Sequence, residues 1–146
     1  MPRIERQASV VWTGNVARGR GTLDGRSGAL RDLPLTLATR IGEPEGQTSP
    51  EELIAAAHAG CYAMSLTSEL VKLGRTPDRV EVSATCVMDE VGDHHLVVAS
   101  ELDVRARVPD LDDDTFLAAV AEADAGCSMS ALIRASAEVR IDAALV

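Results

Sequence analysis

Residues 49–74 are SPEELIAAAHAGCYAMSLTSELVKLG, and this stretch decides how the rest of the chain is interpreted. Ser49 suits a helix N-cap, Pro50 suits the first helical position, and Glu52 completes a capping box with the serine. Gly74 is a typical residue just past the end of a helix. The stretch therefore predicts one long helix that begins at about Pro50 and stops at Gly74.

The middle of this predicted helix, from Leu53 to Leu66, carries no charged residue on any side. A helix that is apolar all round is normally buried all round in a globular protein. Small residues along the stretch, mainly alanines with Gly60, would let neighbouring backbones approach closely. We therefore expect this helix to be the buried centre of the fold.

The segments on either side predict strands and further helices. Before the central helix, QASVVWTG, GRGTLDGRSGAL and LPLTLATRIG predict a meander of short strands with glycine turns, and Arg40 lies on the polar face of the last one. After it, the two-residue period of residues 79–91 and 95–109 predicts a long antiparallel pair. A helix over residues 113–125 and a shorter one capped near Ser128 precede a last strand in AEVRIDAAL. This order predicts an α+β fold with helices packed on a largely antiparallel sheet.

Composition narrows the classes of function. A chain of 146 residues is long enough for one domain with a real core, so we expect a single domain over residues 1–146. The net charge of −9, without a Lys/Arg block, disfavours nucleic acid and anionic membranes as partners. No apolar run is long enough to cross a bilayer, and MPRIERQASV has no hydrophobic export segment. Three cysteines without dense spacing fit a reducing cytoplasm better than a disulfide scaffold.

The three cysteines differ in their predicted surroundings. Cys86 is expected on the apolar face of a strand, where a free cysteine behaves as a small hydrophobe. Cys61 is in the middle of the central helix, where core packing is again the default interpretation. Cys127 follows a glycine at the start of a predicted short helix, where the dipole and free N–H groups favour a thiolate. From local position alone, Cys127 is the better candidate nucleophile.

Other reactive groups give weaker signals. His58 and Cys61 are three residues apart and could share a helix face, as a metal pair or as a thiolate–imidazolium pair. No C-x-x-C or H-x-x-x-H motif completes a zinc site, so we expect no metal. Arg40, Arg18 and Arg20 could supply a cation to a buried thiol, although surface solubility is the simpler interpretation of each. No signature of serine hydrolysis, phosphate binding or dinucleotide binding is present.

Four segments together resemble the OsmC/Ohr peroxidases, the osmotically inducible protein C and organic hydroperoxide resistance proteins. The segments are RGRGTL, LTLATR, TSPEELIAAAHAGCYAMSL and DAGCSMSALIRA, in this order over nearly the whole chain. The resemblance is closer to the OsmC branch, whose helix motif is NPEEL..AAHAACF. Ser49 stands where that family usually has asparagine, and both residues cap helices well. The resemblance implies an OsmC-like fold of antiparallel sheets packed on a buried central helix, in an intertwined homodimer.

The resemblance also implies a thiol-dependent peroxidase that reduces organic hydroperoxides to alcohols in stress defence, without metal, haem or flavin. Cys61 falls on the family's peroxidatic cysteine and Cys127 on its resolving cysteine, which reverses the preference from local position. The two would form a disulfide that an external dithiol reduces. Glu51 falls on the glutamate of the family's P-E-E/Q segment. The arginine position falls on Arg40 in the OsmC branch and on Arg18 in the Ohr branch, and both stay open.

Physical chemistry is consistent with these implied roles. Burial raises the pKa of a thiol, and the middle of a helix lies beyond the reach of its dipole, so we expect an arginine to supply positive charge at Cys61. A glutamate would fix that guanidinium by a bidentate pair. Glu51 and Cys61 are about 15 Å apart along one helix. The glutamate of the same chain can reach that thiol's arginine only if the arginine spans much of the gap or the loop folds back, and a second copy could instead bring its own glutamate close. We therefore expect a homodimer with sites at the interface. The alternative is a non-catalytic ligand-binding or redox-sensing stress protein on the same fold.

Overall fold

The computed structural model describes all of residues 1–146 and confirms the predicted α+β class. Its elements follow in the order β1 (Ala8–Thr13), β2 (Arg20–Gly25), β3 (Leu33–Leu35), α1 (Leu37–Ile41), α2 (Pro50–Lys72), β4 (Arg79–Val91), β5 (His94–Arg107), α3 (Asp113–Gly126), α4 (Ser128–Arg134) and β6 (Glu138–Leu145). The chain divides into two compact units, Met1–Pro50 and Glu51–Val146. That the whole chain is one domain stays a prediction.

The first unit is an antiparallel sheet in the order β1-β2-β3. The β1–β2 hairpin places Trp12 directly opposite Gly21. A Cβ atom at Gly21 would lie 2.9 Å from the indole ring, so glycine is what lets Trp12 lie across the strand. Both valines of β1, Val10 and Val11, are exposed within this chain. The predicted meander of short strands is therefore confirmed.

The third predicted strand is wrong in its second half. The sequence predicts a strand throughout LPLTLATRIG, but only β3 pairs with β2, and the residues after Thr36 form helix α1. Thr36 has extended backbone, and its hydroxyl oxygen accepts a hydrogen bond from the backbone N–H of Thr39 at 3.2 Å. This N-cap starts a helix where the alternation of leucines indicated a strand. Arg40 therefore lies in the last turn of α1.

Helix α2 has the limits that the sequence predicts. It begins at Pro50, and its end is closed by Gly74, which has a φ of 72°. The N–H of Gly74 donates to the carbonyl of Val71 at 2.9 Å, and the N–H of Arg75 donates to the carbonyl of Leu70 at 3.0 Å. These two bonds form a Schellman motif, which needs a left-handed residue where the glycine stands.

One face of α2 is buried, and the opposite face is not. Its buried residues recur every four positions and are His58, Tyr62, Leu66 and Leu70. Met64, on the other side, is 71% exposed within this chain. The expectation that the helix is buried on all sides is therefore wrong for a single chain, because only one stripe packs into the core of its unit.

The second unit packs α2, α3 and α4 with a sheet in the order β4-β5-β6. Strands β4 and β5 are antiparallel, while β6 is parallel to β5 and is reached through α3 and α4, as a parallel connection requires. The core of this unit consists of Tyr62, Leu66, Leu70, Leu102, Val104, Ala106, Val108, Phe116, Ala119, Val120, Ala123 and Cys127. No single helix is long and apolar enough to span a membrane. The pair α3 and α4 meets the length and composition of a span only when the two are taken together, and they are bent by 68° at the break between them.

A bulge changes which residues of β5 face the core. The pairing of β4 with β5 shifts between Val87 and Met88, so that Ala99 and Val97 are their partners and Val98 is passed over. The extra residue reverses the alternation of faces on its N-terminal side. A two-residue period counted back from Leu102 without a bulge would put Leu96 on the packed face, and this expectation is wrong, since Leu96 is 48% exposed.

Candidate active site

The structure brings Cys61 and Cys127 together, although they are 66 residues apart in sequence. Their sulfur atoms are 3.2 Å apart, and both are free thiols. Cys61 is half-buried in the middle of α2, whereas Cys127 is buried. A disulfide needs sulfurs about 2.05 Å apart, so the bond requires an approach of only about 1.2 Å.

Cys127 is positioned by the break between α3 and α4. Helix α3 ends at Gly126, and the backbone N–H of Cys127 donates to the carbonyl of Asp124 at 3.2 Å. Cys127 is the N-cap of α4, and its sulfur accepts a hydrogen bond from the backbone N–H of Ser130 at 3.5 Å. The predicted short helix is therefore present, and the cysteine one residue before Ser128 caps it.

The first residues of α4 act on the sulfur of Cys61. Burial raises the pKa of the Cys61 thiol, but hydrogen bonds from the backbone N–H of Met129, the hydroxyl of Ser128, the thiol of Cys127 and the backbone N–H of Ser128 outweigh it. The net pKa of Cys61 is lower than its ordinary value. The Ser128 hydroxyl oxygen is 3.5 Å from the sulfur. The Cys61 thiolate is thus stabilised by donors from another helix.

Sequence reasoning missed these donors. It expected positive charge at Cys61 to come from an arginine, because α2 cannot act on a sulfur in its own middle. The available signal is the Gly126–Cys127 pair at a helix start, which by local position favours a thiolate at Cys127. The structure instead places Cys61 against the donors at that helix start, and Cys127 beside it as the cap.

His58 does not pair with Cys61. Its ring nitrogens are both engaged, Nδ1 with the hydroxyl of Ser100 at 2.7 Å and Nε2 with the hydroxyl of Ser130 at 2.9 Å. Burial lowers the pKa of His58, while the charge of Asp124 raises it and that of Arg134 lowers it. The thiolate–imidazolium pair with Cys61 is therefore not formed, because serine hydroxyls occupy both ring nitrogens. No three His, Cys, Asp or Glu side chains are grouped as a metal site.

Glu51 and Cys86 are electrostatically linked. Glu51 is in the first turn of α2, and Cys86 is half-buried on β4. Burial, and then the negative charge of Glu51, raise the pKa of the Cys86 thiol above its ordinary value. The Cys86 thiol is therefore protonated at neutral pH and is a weaker nucleophile than the Cys61 thiol, whose pKa is lowered.

The three candidate arginines belong to the first unit. Arg40, in α1, lines an apolar cavity of about 360 Å³ together with Trp12 and Leu37. Arg18 is exposed in the β1–β2 turn, and Arg20 is exposed at the start of β2. Which of them acts on Cys61 stays a prediction, as does the partnership of Glu51 with that arginine.

A second apolar cavity begins one helical turn from Cys61. It has a volume of about 480 Å³ and is lined by Leu53, Ile54, Ala57, Val97, Met129, Leu132, Ile133, Ser136 and Ala137. Ala57 precedes Cys61 by one turn of α2, and the backbone N–H of Met129 donates to the Cys61 sulfur. The lining of this cavity therefore comes within one helical turn of Cys61.

Tyr62, the neighbour of Cys61, does not act as an acid or base. It is fully buried, and its hydroxyl donates to the carbonyl of Val120 at 2.9 Å. Burial, followed by the charges of Asp124 and Cys127, raises the pKa of Tyr62 far above its ordinary value. The phenol therefore stays protonated and ties α2 to α3.

Comparisons with known proteins cover nearly the whole chain. The family model for OsmC-like protein matches residues 42–142. Peroxiredoxin OsmC of Escherichia coli (strain K12) is 35% identical over 139 residues, 95% of each chain, and Peroxiredoxin OsmC of Shigella flexneri matches to the same extent.

Two solved structures show the same fold. The organic hydroperoxide resistance protein OhrB of Bacillus subtilis matches with a TM-score of 0.70 and 24% identity, over 94% of this chain and 98% of that one. An OsmC-like protein of unknown function from Vibrio cholerae matches with a TM-score of 0.78 and 14% identity, over 97% of this chain and 100% of that one.

Proposed function

Since the chain belongs to the OsmC-like protein family and is a peroxidase of the peroxiredoxin type, we propose that it reduces organic hydroperoxides through a disulfide between Cys61 and Cys127. As an antioxidant stress protein it needs a hydroperoxide substrate and a reductant. The observation that carries the proposal is the distance of 3.2 Å between the two free sulfurs.

In the first step, the Cys61 thiolate attacks the outer oxygen of the hydroperoxide. The sulfur gains that oxygen as a sulfenic acid, the O–O bond breaks, and the alkoxide leaves as the alcohol after taking up a proton. The lowered pKa of Cys61 supports this role, because the thiolate and not the thiol is the nucleophile.

In the second step, the Cys127 thiol attacks the sulfur of the Cys61 sulfenic acid. The S–S bond forms and the sulfenic oxygen leaves as water, which takes the thiol proton. An external dithiol then reduces the disulfide by exchange, restoring both thiols and becoming a disulfide itself. A reducing cytoplasm supplies such dithiols, and we place the protein there.

The apolar cavity that begins one helical turn from Cys61 supports an organic substrate. Its volume of about 480 Å³ is many times that of a water molecule, and its lining is almost wholly aliphatic. An alkyl group would be removed from water there, whereas hydrogen peroxide has no group to place in it. We expect kcat/KM to be higher for bulky alkyl hydroperoxides than for hydrogen peroxide.

The test compares serine variants of the three cysteines. Cys61→Ser should abolish consumption of cumene hydroperoxide, and Cys127→Ser should complete one turnover and then accumulate oxidised Cys61. Cys86→Ser is the matched control, and it should keep wild-type activity because its thiol is unactivated. Undiminished turnover by Cys61→Ser would contradict the proposal and favour a ligand-binding role on the same fold.

We also propose a homodimer in which Glu51 acts on the site of the other copy, through Arg40 or Arg18. Apolar residues exposed on each unit of the single chain support a partner: Val10, Val11 and Trp12 on β1 of the first unit, and Met64 on α2 of the second. Glu51 itself is about 15 Å from Cys61 along α2, too far for contact within one chain along this helix.

A mixed dimer tests this arrangement. Cys61→Ser and Glu51→Gln chains with different tags are co-expressed and the heterodimer is purified. If Glu51 acts across the dimer, one of the two sites is intact and about half of wild-type activity is restored. An inactive heterodimer, formed from variants that are each folded, would mean that Glu51 acts within its own chain.

A further inference from the structure

Three polar side chains in the second unit are fully buried and bonded to one another. His58, Ser100 and Ser130 are each 0% exposed. The imidazole of His58 joins the other two, with Nδ1 2.7 Å from the Ser100 hydroxyl and Nε2 2.9 Å from the Ser130 hydroxyl. The three residues belong to α2, β5 and α4, so one ring links three elements of the core.

The triad of His58, Ser100 and Ser130 fixes the relative positions of its three elements more strictly than apolar packing would. A neutral imidazole has one N–H donor and one acceptor nitrogen, so one serine must donate to the ring and the other must accept from it. Breaking either bond leaves a buried polar group unpaired, which costs more than the bond contributes when formed. Both hydrogen bonds of the triad are therefore held in place: the His58–Ser100 bond, called the Ser100 arm, and the His58–Ser130 bond, called the Ser130 arm.

The Ser130 arm leads directly to Cys127. Ser130 is in the first turn of α4, and its backbone N–H donates to the Cys127 sulfur at 3.5 Å. His58 is three residues before Cys61 on α2. The His58–Ser130 bond therefore ties the cysteine-capped end of α4 to the part of α2 that carries the other thiol.

We propose that His58 is a positioning residue for disulfide formation, holding Cys127 beside Cys61 through the hydroxyl of Ser130. This inference rests on the proposed function. Neither the imidazole nor the Ser130 hydroxyl touches the hydroperoxide; their role is to keep the first turn of α4 from moving away when Cys61 is oxidised.

This positioning role affects which reaction the Cys61 sulfenic acid undergoes next. Attack by Cys127 gives the disulfide and water, whereas a second hydroperoxide gives Cys61 sulfinic acid and one more alcohol. The ratio of the two products, at a given hydroperoxide concentration, depends only on steps after the sulfenic acid has formed. A looser α4 slows the first route and leaves the second open, so the protein becomes more sensitive to overoxidation.

Two variants with the same chemical change separate this role from general stability. Ser130→Ala and Ser100→Ala each remove one buried hydroxyl and leave one nitrogen of the His58 ring unpaired. Only Ser130→Ala removes the hydrogen bond between His58 and α4. The proteins are treated with rising cumene hydroperoxide in the presence of excess dithiol, and Cys61 sulfinic acid is measured by mass spectrometry. Ser130→Ala should be half overoxidised at a hydroperoxide concentration roughly fivefold or more below that for wild type, and Ser100→Ala close to wild type.

Other outcomes overturn the inference. If both variants partition as wild type does, or if Ser100→Ala is as sensitive as Ser130→Ala, the Ser130 arm has no special role. Should Ser130→Ala not fold, Ser130→Thr and Ser130→Val give the same test, since they match in size and only threonine keeps the hydroxyl. A wild-type protein that forms no Cys61–Cys127 disulfide would instead remove the proposed function.

Discussion

Removing the hydroxyl of Ser128 is expected to weaken the Cys61 nucleophile. The hydroxyl oxygen is 3.5 Å from the Cys61 sulfur, and its hydrogen bond is one of those that lower the pKa of that thiol. Ser128→Ala removes this donor and leaves the backbone donors of α4 in place. The pKa of Cys61 should therefore rise, and less thiolate should be present at neutral pH.

The size of the effect follows from the geometry. A well-formed hydrogen bond to a charged group contributes about 1.5–3 kcal/mol. This one is long, and Ser128 is exposed, so water competes and about 1 kcal/mol is a reasonable value. Because about 1.4 kcal/mol corresponds to a factor of ten, the thiolate fraction below the thiol pKa should fall roughly fivefold.

Stopped-flow kinetics with an organic hydroperoxide measures the rate constant for oxidation of Cys61 over a range of pH. The thiolate forms as pH rises, so a raised pKa moves the increase in rate constant to higher pH. The loss should be greatest below the wild-type pKa and should vanish at pH values where both proteins are fully ionised. Ser128→Thr keeps the hydroxyl and should resemble wild type, and Ser68→Ala, on the exposed side of α2, is the control for an unrelated serine. An unchanged pH profile for Ser128→Ala would refute the assignment of this donor.

Two further predictions concern the core that holds the thiols in place. Leu66 is fully buried on α2, so Leu66→Ala should lower the free energy of unfolding by about 2–5 kcal/mol in urea, whereas the same change at the exposed Leu132 should cost under about 1 kcal/mol. Tyr62→Phe removes the hydrogen bond to the carbonyl of Val120 and should cost about 1 kcal/mol in the same assay. Because the phenol takes no part in the chemistry, its removal should leave kcat/KM unchanged, and a large fall would contradict that view.

Signals in neighbouring residues are sufficient to predict the limits of the long helix α2. The start of α2 at Pro50 and its closure by Gly74 follow from capping chemistry that is written in adjacent residues. Helix α1 could not be predicted in the same way, because it has five residues, too few to show a helical period. The alternation of Leu35, Leu37 and Ile41 fits a strand equally well, and the hydrogen bond that the Thr36 side chain accepts starts the helix instead.

The site depends on contacts that no local pattern contains. The pairing of Cys61 with Cys127 was suggested by family resemblance alone, since position in sequence favoured the second thiol by itself. In the structure α4 begins beside α2, so its first donors reach Cys61, a contact that position in the sequence does not reveal. The bulge at Val98 and the His58 triad likewise arise from tertiary pairing.

Cys61 and Cys127 are expected to form one redox pair. The most direct measurement is peptide mapping by mass spectrometry, without prior reduction, after the reduced protein has received one equivalent of an organic hydroperoxide. We expect a peptide cross-linked through Cys61 and Cys127, with the thiol of Cys86 free. A cross-link that includes Cys86, or a sulfenic acid at Cys61 that persists beside a free Cys127, would contradict it.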